Sequence, residues 1–293
     1  MALAQPAGPL RLLGGLALNT GILGFGGLSG LHMAPGPVLT AISDRGRFVE
    51  MRLDLDAGLR PMGLTLRRSG RLRDAAGRPL PPGPAGDAEA LARQADGTWL
   101  LAFERRHRIQ AHARLEGPGR TIAAPPGLDR APRNAGLESL AVLADGRWLA
   151  LAEGLEAGPG LVRGWLGRPG RWRRLAYRPQ PGMVPVDAAA LPEGGALVLE
   201  RGFSLLGGFT GRLARLPAAA LADPAVDAVL EPVALLDLAP PLPVDNYEGL
   251  AVLDHQGRRL VAIVSDDNER LLQRSLLLLF EMPPGMLPRS DRR

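Results

Sequence analysis

Asp87-Ala88-Glu89-Ala90-Leu91 followed by TWLLAFE (98–104), and its echo Leu137-Glu138-Ser139-Leu140 followed by RWLALAE (147–153), decide how this chain folds. Each joins a short segment ending in leucine to an apolar run ending in an acid, across Asp96-Gly97 or Asp145-Gly146. Asp-Gly between apolar runs signals a hairpin, because a tight turn there needs positive φ. The phrase recurs three more times: Leu28-Ser29-Gly30-Leu31 with VLTAISD (38–44), Asp187-Ala188-Ala189-Ala190-Leu191 with ALVLE (196–200), and Asn246-Tyr247-Glu248-Gly249-Leu250 with RLVAIVSD (259–266). Its anchoring leucines are 60, 49, 51 and 59 residues apart.

The second half of each phrase is apolar almost continuously and too short for an independent helix. A strand covered on both faces reads that way. Short antiparallel sheets, covered on both faces and repeated about every 50 residues, are the units of a β-propeller, in which each blade packs on two neighbours. Further strands are expected at 47–55, 62–68, 108–115, 120–124, 161–167, 171–177, 208–216, 228–238 and 275–282. The expectation is an all-β propeller of five four-stranded blades, closed by an N-terminal strand at 10–18 lying beside 275–282. The alternative has six, with a degenerate blade in 54–86. Residues 1–9 form a leading segment, 10–282 one domain and 283–293 a fraying Pro/Arg-rich tail. PAAALADP (217–224) offers a turn or two of helix.

Of the 293 residues, 46% are hydrophobic and 22% charged, as in globular proteins. There is no Cys, which removes disulfides and thiolate chemistry, and all 35 basic residues are Arg, which removes lysine nucleophiles. The arginines are scattered rather than clustered with aromatics, so nucleic acid is not an expected partner despite the +5 charge. Residues 10–31 carry seven glycines and an Asn-Thr pair, too polar for a membrane span. Ala2-Leu3-Ala4 resembles a signal-cleavage site and suggests a periplasmic or secreted protein. A monomer is expected.

The repeat places matching residues at matching depths round the axis. One set is Ser29, Glu89, Glu138, Ala189 and Glu248 on the innermost strands. The other is Asp44, Glu104, Glu153, Glu200 and Asp266 at the ends of the next strands. Antiparallel pairing brings both sets to one channel mouth. Crowded carboxylates need compensation, either from Arg45, Arg105 and Arg201, which follow ring acids, or from a divalent cation such as Ca²⁺. Asp44, Glu200, Glu248, Asp266, Asp267 and Asn268 are the candidate metal ligands. Glu89, Glu138, Glu248, Arg45 and Arg201 are the candidate catalytic groups. Glu89 and Glu138 have another possible role, accepting backbone hydrogen bonds between blades. The four histidines lack metal-ligand spacing.

GGLSGL (26–31), AISDRG (41–46), DAEALA (87–92), GLESLAVLADG (136–146), LERGFS (199–204), NYEGLAVL (246–253) and VSDDN (264–268), in that order, resemble the phytase-like domain, the "esterase-like activity of phytase" group. The resemblance covers about residues 20–282. It implies a β-propeller of bacterial exported proteins, distantly linked to calcium-dependent propeller phytases. Asp44, Arg45, Glu89, Glu138, Glu200, Arg201, Glu248, Asp266, Asp267 and Asn268 occupy its motif positions. This chain departs from it at Ala189, where other units carry an acid, and in having no Lys. The expected activity is metal-dependent hydrolysis of a small anionic ester or phosphoester. A non-catalytic binding propeller and a lactonase-like propeller hydrolase are the alternatives.

Overall fold

The computed structural model describes residues 5–6, 8–19, 26–266 and 275–283, and among them the chain forms five separate sheets, one per repeat. The first strand, β1 (Arg11–Ala17), belongs to the last sheet. Blade 1 contains β2 (Leu28–Ala34), β3 (Val38–Ser43), β4 (Arg47–Leu55) and β5 (Pro61–Arg71). Blade 2 contains β6 (Ala88–Arg93), β7 (Trp99–Phe103), β8 (Arg108–His112) and β9 (Arg120–Ile122). Blade 3 contains β10 (Leu137–Val142), β11 (Trp148–Gly158), β12 (Leu161–Arg168) and β13 (Arg171–Tyr177). Blade 4 contains β14 (Val184–Ala190), β15 (Ala196–Ser204), β16 (Gly208–Leu216) and, beyond the short β17 (Val229–Leu230), β18 (Val233–Leu238). Blade 5 contains β19 (Asn246–His255), β20 (Arg258–Asp266) and β21 (Leu276–Met282), completed by β1 in antiparallel register with β21 from Arg11↔Glu281 to Ala17↔Leu276. The five-bladed, N-terminally closed ring is therefore as expected, and 54–86 holds no sixth blade. Leu72 and Leu80 from that stretch pack between blades 1 and 2.

The Asp-Gly turns behave as their chemistry requires. Gly97 and Gly146 have φ of 89° and 78°, and each preceding Asp accepts a backbone N–H two residues after itself, from Thr98 and Arg147, both at 2.9 Å. One expected strand divides. Glu231-Pro232 interrupts 228–238, since proline cannot donate to a ladder. Val229–Leu230 joins the outer edge of blade 3 in parallel, whereas β18 completes blade 4. Ala218–Ala222 forms the one short α-helix among the described residues, α1, and no described helix is long and apolar enough to cross a membrane.

The core is not central. Buried side chains form five clusters, one at each interface between adjacent blades. This explains the unbroken apolar runs: β7 and β20 are buried along almost their whole length because each faces a neighbouring blade on both sides. Leaving the centre free of bulky core leaves a channel lined by β2, β6, β10, β14 and β19.

At the channel end opposite the acids, a cavity of about 150 Å³ is bordered by His32 and Arg93. The His32 ring meets Trp99 edge-on, with centroids 5.1 Å apart. Burial, with Arg93 nearby, lowers its pKa to about 4. The folded protein thus keeps His32 neutral where the unfolded chain, with a pKa near 6.5, takes up a proton. Stability is complete above about pH 6.5 and falls as the pH drops towards 4, by roughly 2–3 kcal/mol from this group. Urea titrations across that range are expected to show a shallower acid loss for His32→Gln than for the parent; equal slopes would refute the assignment.

Candidate functional site

A β-bulge recurs in all five innermost strands: between Ser29 and Leu31, Ala88 and Ala90, Leu137 and Ser139, Pro185 and Asp187, and Tyr247 and Gly249. A bulge inserts one residue and re-aims its side chain. In three blades the residue skipped by the pairing is a glutamate: Glu89, Glu138 and Glu248. These bulges bring them into a cavity of about 250 Å³ at one mouth of the channel. Ser29, Asp44, Glu104, Glu153 and Asp266 also line it, so the two rings do share one mouth.

Blade 4 corrects the expected register. The pair Ala188↔Val198 corresponds to Leu91↔Leu101, Leu140↔Ala150 and Leu250↔Ile263 in its neighbours. Three residues beyond the second member of each pair stand Glu104, Glu153, Asp266 and, in blade 4, Arg201. Arg201, not Glu200, therefore completes the outer ring. Val186, not Ala189, takes the inner position. Glu200 alternates to the opposite face and is fully buried beside blade 3. Its Oε1 accepts the Tyr177 hydroxyl at 2.6 Å and its Oε2 the Gln180 N–H at 3.2 Å. Glu200 is thus an inter-blade tie and stands apart from the mouth. The Leu191 anchor misleads because Ala188-Ala189-Ala190 offers no large side chain. The usable signal is the glycine directly after the ring position, Gly154 after Glu153 and Gly202 after Arg201.

The mouth is electrostatically one-sided. Among the described residues, seven carboxyl groups line it beside a single guanidinium, that of Arg201. Arg201 donates to Glu153 Oε1 at 3.0 Å, to Asn246 Oδ1 at 2.8 Å and, closely, to Glu248. It thereby ties blades 3, 4 and 5 together and neutralises one side of the ring. Arg105 pairs with Asp87 at 2.7 Å, and Arg45 lies 3.9 Å from Asp44, both near the rim. Asp267 and Asn268 lie outside the described residues.

Two acid triads converge in the mouth, one of them reaching Arg201 through Glu153. One oxygen from each of Asp87, Glu89 and Glu104 falls within 4.8 Å of the others, and so do oxygens of Glu104, Glu138 and Glu153. Glu104 is common to both. The triads belong to blades 2 and 3, whereas the sequence concentrates its ligands on blade 5; none of the five triad residues is in that ligand set, where Glu89 and Glu138 stand as catalytic candidates instead. Burial, reinforced by Glu138, Asp87 and Glu104, pushes the Glu89 carboxyl well above the ordinary glutamate range. Glu138 is also pushed well up, by burial and then by Glu153 and Glu104, with Arg201 opposing. Glu104 is raised by burial and Asp87, against hydrogen bonds from Glu138 and from the Gly136 N–H at 3.4 Å. Burial raises Asp87 and Glu153, each offset by its arginine.

The channel is stopped just beneath. Position by position, the next level holds Gly30, Ala90, Ser139, Asp187 and Gly249, small residues round one carboxylate. Asp187 is fully buried; its Oδ1 accepts the Ala188 N–H at 2.8 Å and its Oδ2 the Leu250 N–H at 2.7 Å, and the Leu31 N–H also donates to it. One side chain of blade 4 thus holds backbone of blades 5 and 1. A Cβ on Gly249 would meet Val264 Cγ2 at 2.5 Å and Leu31 Cβ at 3.1 Å, and one on Gly30 would meet the Leu91 N–H nitrogen at 2.7 Å, so neither position has room for a side chain.

Several propeller structures are similar to this one. The pyrroloquinoline-quinone domain of pyranose dehydrogenase from Coprinopsis cinerea superposes with a TM-score of 0.50 at 10% identity, covering 94% of this chain and 98% of that one. An aldose sugar dehydrogenase from Streptomyces coelicolor gives 0.49 at 14% identity over 95% and 99%. A gluconolactonase from Xanthomonas campestris gives 0.47 at 12% identity over 87% and 72%. At such identities the likeness speaks to the fold alone. No curated protein sequence matches significantly. Residues 23–269 match the family model described as phytase-like, esterase-like activity of phytase, and the chain belongs to that family.

Proposed function

We propose that the acid-lined mouth is a divalent-cation-dependent hydrolase site for small anionic esters, phosphoesters among them. The observation that carries this reading is the pair of triads sharing Glu104. Five partly or fully buried carboxyl groups, all raised by burial and only Asp87 and Glu153 paired closely with an arginine, make an unstable arrangement unless something positive joins them. The donor set is all carboxylate oxygen, the chemistry that Ca²⁺ or Mg²⁺ takes. Asp87, Glu89 and Glu104 would hold one ion, and Glu104, Glu138 and Glu153 a second. Such an ion supplies a Lewis acid and lowers the pKa of a bound water.

The protein's own groups supply the rest. Oxygens of Glu104 and Glu138 lie within 4.8 Å of each other, close enough for the two carboxyls to share a proton when no ion is bound. With an ion held by Asp87, Glu89 and Glu104 alone, Glu138 stays outside the ligand set and is placed for general acid–base work. Arg201 is the one guanidinium among the described cavity-lining groups and orients an anionic substrate, with Arg45 and Arg105 attracting it at the rim. Asp187 closes the floor, so substrate enters and product leaves by the mouth. The family membership favours a periplasmic or secreted location.

The test is turnover of a panel of phosphomonoesters, phosphodiesters and carboxylic esters with Ca²⁺ and after chelation. Activity that needs the ion is expected. Arg201→Gln should lower kcat/KM on anionic esters about 10–100-fold, the worth of a charge-assisted hydrogen bond, and on neutral esters much less. Ligand binding at the mouth with no turnover anywhere in the panel would leave a binding propeller instead.

A further inference from the structure

The β15–β16 hairpin continues past the ring of acids. In blades 1, 2 and 5 the second strand ends at or just before its ring position, at Ser43, Phe103 and Asp266. In blade 4 pairing goes on beyond Arg201, through Gly202↔Thr210 and Phe203↔Phe209 to Ser204↔Gly208. Side chains two apart on a strand share a face, so Phe203 stands directly above Arg201. Phe209 lies opposite it, with ring centroids 5.0 Å apart and planes at 54°. Phe203 is 61% exposed, a large apolar area to leave in water without a use.

The two rings border a cavity of about 430 Å³ whose other lining includes Val184, Arg201, Glu153 and Asn246. Arg201 and Glu153 also line the acid mouth, so cleft and mouth are continuous. Gly202 makes the cleft possible at its base: a Cβ there would lie 2.6 Å from the Gly182 carbonyl oxygen. One wall is thus aromatic and apolar, and the floor is the guanidinium that faces the site. A ligand matching both has an anionic or ester head and an apolar tail.

We infer that the Phe203–Phe209 cleft binds the apolar portion, aryl or alkyl, of an ester whose reactive group lies in the acid mouth. This rests on the hydrolase reading for the head group and extends it to the substrate's tail: amphiphilic esters, rather than uniformly charged polyphosphates, are the preferred class. Pocket and head group together bury both parts, while the paired rings fix the tail's direction at little entropic cost.

The test measures binding of the series methyl, butyl, hexyl and phenyl phosphate by calorimetry with Ca²⁺ present, and turnover of p-nitrophenyl esters of rising acyl length. Affinity should rise with tail size in the parent, by up to about fourfold per buried methylene. In Phe203→Ala/Phe209→Ala the dependence should flatten and KM on the longer esters rise at least tenfold. Leu205→Ser/Leu206→Ser, at the exposed tip of the same hairpin, should behave like the parent. A flat series in the parent, or no binding of any member, overturns the inference, as does a tail dependence that survives the double Phe variant. So does loss of tail preference in the tip variant accompanied by loss of binding to phosphatidylglycerol vesicles, which would make the hairpin a membrane contact. The two readings fail separately. Tail-dependent binding without turnover keeps the cleft and ends the hydrolase; calcium-dependent turnover indifferent to the tail does the reverse.

Discussion

Asp187→Ala is expected to cost about 3–5 kcal/mol of stability, more than any other single truncation along the channel. The carboxylate is the acceptor for backbone N–H groups of Ala188, Leu250 and Leu31, which belong to three strands of three blades. The alanine variant leaves those donors facing a plugged channel, and each buried unpaired group costs about 1–3 kcal/mol. Water entering from the mouth would recover part of this, so the sum lies below three full penalties. For a chain of this length the loss corresponds to roughly 5–8 °C in Tm, read by thermal melting at neutral pH. Asp187→Asn keeps one carbonyl acceptor and the shape, and should recover more than half of the loss. The carboxyl pKa is held well above its usual range by burial, despite the three hydrogen bonds. Its folded-state value therefore exceeds its unfolded one, so its contribution is fullest in acid and declines as the pH rises through the folded value. The difference between parent and Asn variant should shrink accordingly on the alkaline side. An Ala variant as stable as the parent would mean that this contact does not hold the blades together.

The contrast between blade 4 and its neighbours marks where reading the chain stops working. Hairpins could be located because Asp96-Gly97 and Asp145-Gly146 dictate backbone conformation locally, and Arg171–Tyr177 and Gly208–Leu216 fall at the bounds expected for them. Five interface cores follow from apolar runs that need cover on both faces. Side-chain direction at the mouth depends instead on the recurrent bulge, which changes phase by one residue and leaves no trace in hydrophobic periodicity. Where a large leucine follows the bulge, as Leu91, Leu140 and Leu250 do, the phase can still be recovered. Blade 4 has Ala188-Ala189-Ala190 there, so counting from Leu191 sends the reading to Glu200, which faces Tyr177, and past Arg201, which faces the site. The triads were hidden for a different reason. Asp87 and Glu104 flank strands of blade 2 and Glu138 lies on a strand of blade 3, and only the rotation between blades sets which acids of a ring actually touch.

Glu104→Gln is the change that separates a metal site from a set of structural acids. Glu104 belongs to both triads, so losing its charge should weaken Ca²⁺ binding at least about 100-fold, measured by calorimetry, and remove calcium-dependent turnover. The amide retains a carbonyl oxygen for the Gly136 N–H, which preserves the inter-blade hydrogen bond. Metal-free stability should therefore not fall. It should rise at neutral pH, because Glu104 is among the groups that push Glu89 and Glu138 upward. The sign follows from linkage. With folded-state pKa values above the unfolded ones, the folded protein binds extra protons, and stability is lost as pH increases through the raised values. In chelator, the parent should thus melt at progressively lower temperature from pH 5 upward, and Glu104→Gln should show a weaker decline. Saturating Ca²⁺ should flatten the parent's curve and leave the variant's unchanged, since binding releases the shared proton and replaces it with fixed positive charge. If the acids served only as inter-blade acceptors, the opposite pattern would appear: no calcium effect in the parent, and little change of either curve on substitution. The same variant thus bears on chemistry and folding together, because in this mouth the repulsion that destabilises the empty ring is also what gives it affinity for a cation.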